Sequence, residues 1–341
     1  LSKIATDRPA SAVEVIKELS AATGISHAIE TTATRASYAA SGSFVGRGKE
    51  LDKLLQNSPG AGRMVLLSGE SGVGKSRLIR QLRQEIQMRG GAFALGQCYD
   101  GSASAFHPFV QILRQVIPSD LHDAILAPLM TPGQRESSTG RDGENPDPEP
   151  DPEKAQQRLL EAGVQAILGA ASARTLVVCI EDLQWADNAS FQMLEHLARN
   201  ASALSLQEAG SGLLVVATCR LEDSESPPLS AALPKLLKAA SWERMELSRL
   251  SGDETAQMLA GIFGLDSAPA PLVSLILGET EGNPFFVQVA VESLIEEQDL
   301  ARPGVDWLTD GEALSRISFP SSITDAIARR LARQTPEEAR V

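Results

Sequence analysis

The chain has 341 residues, 43% hydrophobic and 22% charged, the composition of a globular protein with room for two or three domains and a buried core. Its formal charge of -13 excludes a surface that broadly coats nucleic acid or anionic membrane, because such binding rests on Lys and Arg neutralising phosphates. A local basic patch stays open. Neither a charged-then-apolar leader nor an uninterrupted apolar run of about 18 residues occurs, and the first residue is Leu1 rather than Met, so the expectation is a cytoplasmic piece of something longer with no membrane partner.

In chain order, Asp7-Arg8-Pro9 precedes Ala12, Val13, Ile16 and Leu19, a helical period entered by a proline that suits a first turn. Gly24 to Ser43 is rich in Ala, Ser and Thr with weak periodicity, as a connecting segment is. From Phe44 short apolar runs alternate with amphipathic stretches, which predicts an α/β fold with a parallel, doubly wound five-stranded sheet and crossover helices on both faces. The strand candidates are Met64 to Ser68, Ala92 to Gln97, Thr175 to Ile180, Gly212 to Thr218 and Arg244 to Leu247. Thr131 to Lys154 carries Asn145-Pro146-Asp147-Pro148-Glu149-Pro150-Asp151-Pro152, a composition with almost nothing to bury and therefore expected to be disordered.

Beyond Arg220 the pattern turns helical, over Asp253 to Phe263, Pro271 to Gly278 and Pro284 to Glu297. Ser251 and Glu254 stand in capping-box spacing at the first of these. A further helix is predicted near Ser322 to Arg333, the start of another unit. The expected organisation is a terminal helix over 1–23, a linker over 24–42, a core over 43–222, a helical lid over 223–314 and a truncated unit over 315–341. Cys98, Cys179 and Cys219 are odd in number, far apart, and in or beside apolar runs, so they read as buried, reduced thiols rather than disulfides or zinc ligands. The four histidines share no ligand spacing.

Gly69-Glu70-Ser71-Gly72-Val73-Gly74-Lys75-Ser76 fits the phosphate-loop pattern and stands directly after an apolar strand and before a helix opening at Arg77. The glycines let consecutive backbone N–H groups turn inward on an anion, and the helix N-terminus adds its positive end. Lys75 reaches the terminal phosphates of ATP, and Ser76 offers a hydroxyl to Mg2+. The run Thr175 to Ile180 ends in Glu181-Asp182 at the carboxyl edge, where open parallel sheets bind ligands. Glu181 is assigned to the metal's water shell and Asp182 to the attacking water, since phosphoryl transfer depends on positioning and charge neutralisation. Their roles are open to exchange. Thr218 and Arg220 close the next strand, and either is placed to sense a γ-phosphate; a solvated strand terminus is the alternative for Arg220.

The order Phe44-Val45-Gly46-Arg47-Gly48-Lys49-Glu50-Leu51, the loop, Ile180-Glu181-Asp182-Leu183-Gln184-Trp185-Ala186-Asp187, Ala217-Thr218-Cys219-Arg220 and Glu281-Gly282-Asn283-Pro284-Phe285-Phe286 resembles the STAND class of AAA+-related ATPases. It is most similar to the origin-recognition-complex-like ATPase modules of bacterial multidomain regulators. The resemblance implies a nucleotide-operated switch that hydrolyses ATP slowly. It places Val45, Gly46 and Arg47 against adenine and ribose, and Pro284 of a helical lid against the base. Many members carry two aspartates, or aspartate then glutamate, where this chain has Glu181 then Asp182, which keeps the identity of the base open.

Asp7-Arg8-Pro9-Ala10-Ser11-Ala12 and the helix after it resemble the end of a Ser/Thr protein kinase domain. The glycine-rich kinase loop, catalytic-loop aspartate and DFG aspartate are missing from the sequence, so the chain itself is not expected to be a kinase. The implied partners in a longer protein are its own kinase domain, a C-terminal sensor region and a nucleotide-dependent homo-oligomer. Two rival readings are a DNA-associated loader, with Arg329, Arg330 and Arg333 on the backbone, and a scaffold that holds nucleotide without turnover.

Overall fold

Met64–Leu67, Leu176–Ile180 and Leu213–Cys219 are runs in which both alternating faces are buried, as happens when helices cover a parallel sheet from either side. The computed structural model describes residues 44–56, 62–101, 105–118, 152–201, 212–220, 222–223, 227–240 and 242–299. The kinase-like helix, the 24–42 linker, 131–151 and the helix predicted near Ser322 to Arg333 lie outside them.

In chain order the elements are α1 (Gly48–Leu55), β1 (Arg63–Gly69), α2 (Lys75–Met88), β2 (Ala92–Gln97), α3 (His107–Val116), α4 (Pro152–Ala173), β3 (Thr175–Glu181), a 3-10 turn (Leu183–Trp185), α5 (Asn188–Ala201), β4 (Gly212–Arg220), α6 (Leu229–Ala239), β5 (Trp242–Leu247), α7 (Gly252–Phe263), α8 (Ala270–Thr280) and α9 (Pro284–Asp299). The five strands form one sheet in the order β2-β3-β4-β1-β5, parallel throughout. This is the expected α/β fold of P-loop NTPases. Leu66, Leu176, Val178, Ile180, Val215 and Ala217 join Phe109 and Ile112 of α3, Ile167 of α4, Leu194 and Leu197 of α5 and Leu236 of α6 in one core cluster. On the opposite face α2 buries Leu78, Leu82 and Ile86 and packs on β1, β2 and β3. Each large aliphatic side chain so buried contributes about 1.5–3 kcal/mol.

The free edge of the sheet at β2 is covered in an unusual way. Gln115 of α3 accepts from the N–H of Leu95 at 3.1 Å and donates to its carbonyl at 2.7 Å, and Gln111 accepts from the N–H of Gln97 at 2.7 Å. Side-chain amides thereby stand in for a sixth strand and satisfy backbone groups that an open edge leaves unpaired. The close approach demands Gly96, where a Cβ would lie 2.2 Å from the carbonyl oxygen of Pro108.

The sheet does not stop at residue 222. Leu229–Ala239 is a helix, and Trp242–Leu247 pairs with β1, so the compact unit that holds the sheet runs over Gly46–Arg249 rather than 43–222. As an edge strand β5 buries only Met245 and Leu247, which leaves a weak alternating signal in sequence. Pro152–Lys154, expected to be disordered, form the first turn of α4, consistent with the preference of proline for a helix start. Cys98, Cys179 and Cys219 are buried and free, and no helix among the described residues is long and apolar enough to cross a membrane.

The second unit holds α7, α8 and α9 around Leu259, Leu272, Ile276, Val287, Val291 and Leu294. The capping box is made: the Ser251 hydroxyl accepts from the Glu254 N–H at 3.3 Å, and the Glu254 carboxylate accepts from the Ser251 N–H at 2.8 Å. Between α8 and α9 the buried Asn283 accepts from the Phe285 N–H at 3.1 Å and so starts α9.

Candidate active site

β1 ends at Gly69 and α2 begins at Lys75, with Gly72 at φ 78° and Gly74 at φ 104° between them. A residue with a Cβ is strained at such angles, so glycine is what lets the loop turn. The first turn of α2 carries no acidic residue of its own to offset the positive end of that helix. The loop already holds an anion from within the chain: the Ser71 N–H donates to Glu222 Oε1 at 3.2 Å.

Lys75 is 8% exposed, and its ammonium folds back on the loop, donating to the carbonyls of Gly69 at 2.7 Å and Glu70 at 2.9 Å. Burial lowers its pKa, while Glu222, Asp182 and Cys219 act to raise it. A cation so desolvated gains from an approaching phosphate. Ser76, the second residue of α2, is exposed. Burial, then Arg80, lowers the pKa of Arg77 in the same turn.

The loop is braced from outside. Arg47, 4% exposed, donates to the Val73 carbonyl at 3.3 Å and to the Ser248 carbonyl, and pairs with Glu50 at 3.6 Å. Arg249 Nε donates to Glu70 Oε2 at 2.8 Å. The guanidinium that the resemblance sets against adenine and ribose is therefore engaged with protein carbonyls and ties the loop to the residues after β5. Gly46 stands at φ 76° before it. Val45 and Pro284, the first residue of α9, fall in the other unit.

At the end of β3, Glu181 is 8% exposed and its Oε1 has no hydrogen-bond partner among the described residues. Burying a carboxylate oxygen unpaired is costly. An oxygen donor held this way at the end of β3, with β4 between it and the strand that carries the phosphate loop, is of the kind that a hard divalent cation such as Mg2+ would take, and the Ser76 hydroxyl would be a second donor of the same kind. Asp182 has φ 58° and ψ 49°, a left-handed conformation uncommon for a residue other than glycine. Its N–H donates to Thr218 Oγ1 at 3.1 Å, and its Oδ1 accepts from Gln184 Nε2 at 3.1 Å. Gln184 Oε1 accepts from the Arg220 N–H at 3.3 Å. The Arg220 guanidinium lies over the Trp185 ring, 4.7 Å from its centre. Asp187 accepts from the Ser190 N–H at 2.9 Å and hydroxyl at 2.6 Å, capping α5.

Because β4 lies between β3 and β1, Thr218 to Arg220 separate the acids from the loop, and the three strand ends stand side by side on the carboxyl edge. The ends of β1, β3 and β4 thus carry the loop, Glu181 with Asp182, and Thr218 with Arg220 on one edge of the sheet. Gln184 contacts Asp182, Glu222 contacts Ser71, Ser248 contacts Arg47 and Arg249 contacts Glu70; of these four only Gln184, inside the Ile180–Asp187 motif, had a local sequence signal.

The family model for the AAA ATPase domain matches residues 43–216, just over half of the chain. The chain belongs to the AAA ATPase domain family. An uncharacterized protein of Rhizobium meliloti (strain 1021) is 29% identical over 215 residues, covering 58% of this chain and 19% of that protein, so this chain spans about a fifth of the curated relative it matches. Among solved structures the AAA ATPase is similar to the Aeropyrum pernix ORC2 protein in its ADPNP–ADP complexes, with a TM-score of 0.50, 13% identity, and 85% of this chain and 71% of that one covered. It also superposes on a Pyrococcus horikoshii STAND protein with a tetratricopeptide repeat sensor, at a TM-score of 0.43 and 15% identity over 81% of this chain and 33% of that one. At such identities the likeness concerns the fold alone.

Proposed function

We propose that this AAA ATPase binds ATP with Mg2+ and hydrolyses it slowly, as the nucleotide-operated switch of a longer signalling protein. The observation that supports this most is the pairing, on one sheet edge, of a phosphate loop with the buried Glu181 Oε1, which has no hydrogen-bond partner among the described residues. In this reading the loop N–H groups and Lys75 hold the phosphates, and Ser76 and Glu181 hold the cation, which when bound neutralises charge on the β- and γ-oxygens. Asp182 orients a water and takes its proton as the new P–O bond forms and the bond to the leaving ADP oxygen breaks. Arg220 leaves the Trp185 ring for the γ-phosphate, so strand β4 reports which nucleotide is present. Pro284 and α9 carry the nucleotide state into the helical unit, and a kinase domain and a sensor region of the longer protein receive it.

The test is the nucleotide content of the purified protein together with its turnover of ATP in the presence of Mg2+. Slow release of phosphate, with ADP lowering hydrogen exchange over Leu250–Asp299, is the expected result. Bound nucleotide with no turnover would make the chain a scaffold. Equal protection of Leu250–Asp299 with and without ADP would remove the switch.

A further inference from the structure

We propose that Gln184 is the positioning residue for Asp182, and that it ties the direction of that carboxylate to Arg220 at the end of β4; the proposal rests on the hydrolytic reading above. Gln184 is 5% exposed, and a buried amide needs a partner for each of its ends. Its two partners fix which end is which. The Arg220 backbone N–H can only donate and so takes Oε1 at 3.3 Å, and the Asp182 carboxylate can only accept and so takes Nε2 at 3.1 Å.

Asp182 is constrained from both directions. Its backbone sits in the left-handed region with its N–H held by Thr218 Oγ1 at 3.1 Å, and its side chain is held by Gln184. Both ties lead to β4, the strand between the acids and the phosphate loop. With Oδ1 engaged by Gln184, Oδ2 is the oxygen left to take the proton of the attacking water. The next residue, Trp185, carries the Arg220 guanidinium on its ring, so two consecutive side chains read the backbone and the side chain of one residue. A shift of the Arg220 backbone at the end of β4 therefore reaches Asp182 through one buried amide. Such a link makes the acid's alignment depend on the nucleotide at the far side of β4, a requirement for a site that reacts only when fully loaded.

Two double-mutant cycles on the whole 341-residue chain test this. The first measures turnover at saturating ATP and the Kd for ATP in Gln184→Met, Asp182→Asn and the double variant. Gln184→Met keeps the volume and removes both bonds. It is expected to hold Kd within about threefold, to lower kcat at least about tenfold, and to slow Asp182→Asn no further, because residues acting as one unit are not additive. A kcat within about twofold of the parent, or a loss that multiplies onto that of Asp182→Asn, overturns the proposal. A glutamine that served packing alone would shift stability and leave kcat unchanged.

The second cycle reads only melting temperature and needs no turnover. Gln184→Glu sets two carboxylates against each other and lowers Tm; adding Asp182→Asn supplies a donor in the reverse direction and is expected to return most of the loss. Failure of that rescue refutes the Gln184–Asp182 contact and the proposal with it. A parent protein that binds ATP and never turns it over refutes the hydrolytic reading, and the thermal cycle then decides on Gln184 by itself.

Discussion

Arg220, the last residue of β4, holds its guanidinium 4.7 Å from the centre of the Trp185 ring, which stores a cation at the sheet edge one strand from the phosphate loop. A cation over an aromatic face gains about 0.5–1 kcal/mol at partly exposed sites, little against a charge-assisted bond to phosphate at about 1.5–3 kcal/mol. Arg220→Ala is therefore expected to weaken ATP binding at least about tenfold while leaving ADP binding nearly unchanged, as measured by calorimetry with both nucleotides. Equal losses for the two would show that Arg220 does not distinguish the γ-phosphate.

Lys75→Ala is expected to abolish ATP binding. The substitution removes the cation that this loop aims at the terminal phosphates, and in its place leaves the Gly69 and Glu70 carbonyls that the ammonium satisfies. Titration calorimetry that returns the parent affinity would overturn the site.

The two acids are expected to separate by phenotype. Asp182→Asn keeps ATP binding and slows hydrolysis at least about tenfold, since an amide cannot accept the proton of water. Glu181→Gln raises the Mg2+ concentration needed for half-maximal turnover, because it neutralises the buried oxygen that fits the cation. A magnesium titration of both variants checks the assignment, and an exchange of the two phenotypes exchanges the two roles.

Cys98 gives a pH signature. Burial, aided by Asp187 and Asp182, pushes its thiol from 9.0 up to about 12. In the unfolded chain the thiol ionises near its ordinary value, so between about pH 9 and 12 the unfolded state releases a proton that the folded state keeps. The thiol's contribution to stability is full below that window and falls as pH rises through it. Cys98→Ala is expected to make the alkaline fall in Tm shallower, whatever it costs at neutral pH. An unchanged slope from pH 8 to about 11 would mean that Cys98 ionises as freely folded as unfolded.

How much of this was legible beforehand follows from range along the chain. The phosphate loop, the acids closing Thr175–Glu181 and the capping box at Ser251 are local patterns: spacing within eight residues or fewer fixes which backbone groups turn inward and which strand is apolar on both faces. Sequence alone therefore determined the fold class and where the loop, Glu181 and Asp182 stand at the ends of their strands. It did not determine what those groups touch. Arg47 reaches Ser248 across a separation of 201 residues, Arg249 reaches Glu70 across 179, and Glu222 reaches Ser71 across 151. Such partners depend on the strand order, and nothing in the local periodicity of β4 says that it lies between β1 and β3. That order is what sets Arg220 against Trp185 and Gln184 between Arg220 and Asp182. Local patterns settle where a residue sits on its own element, because burial repeats with the period of helix or strand; the partner of a polar side chain is settled by which strand end lies beside it, and only the assembled sheet decides that.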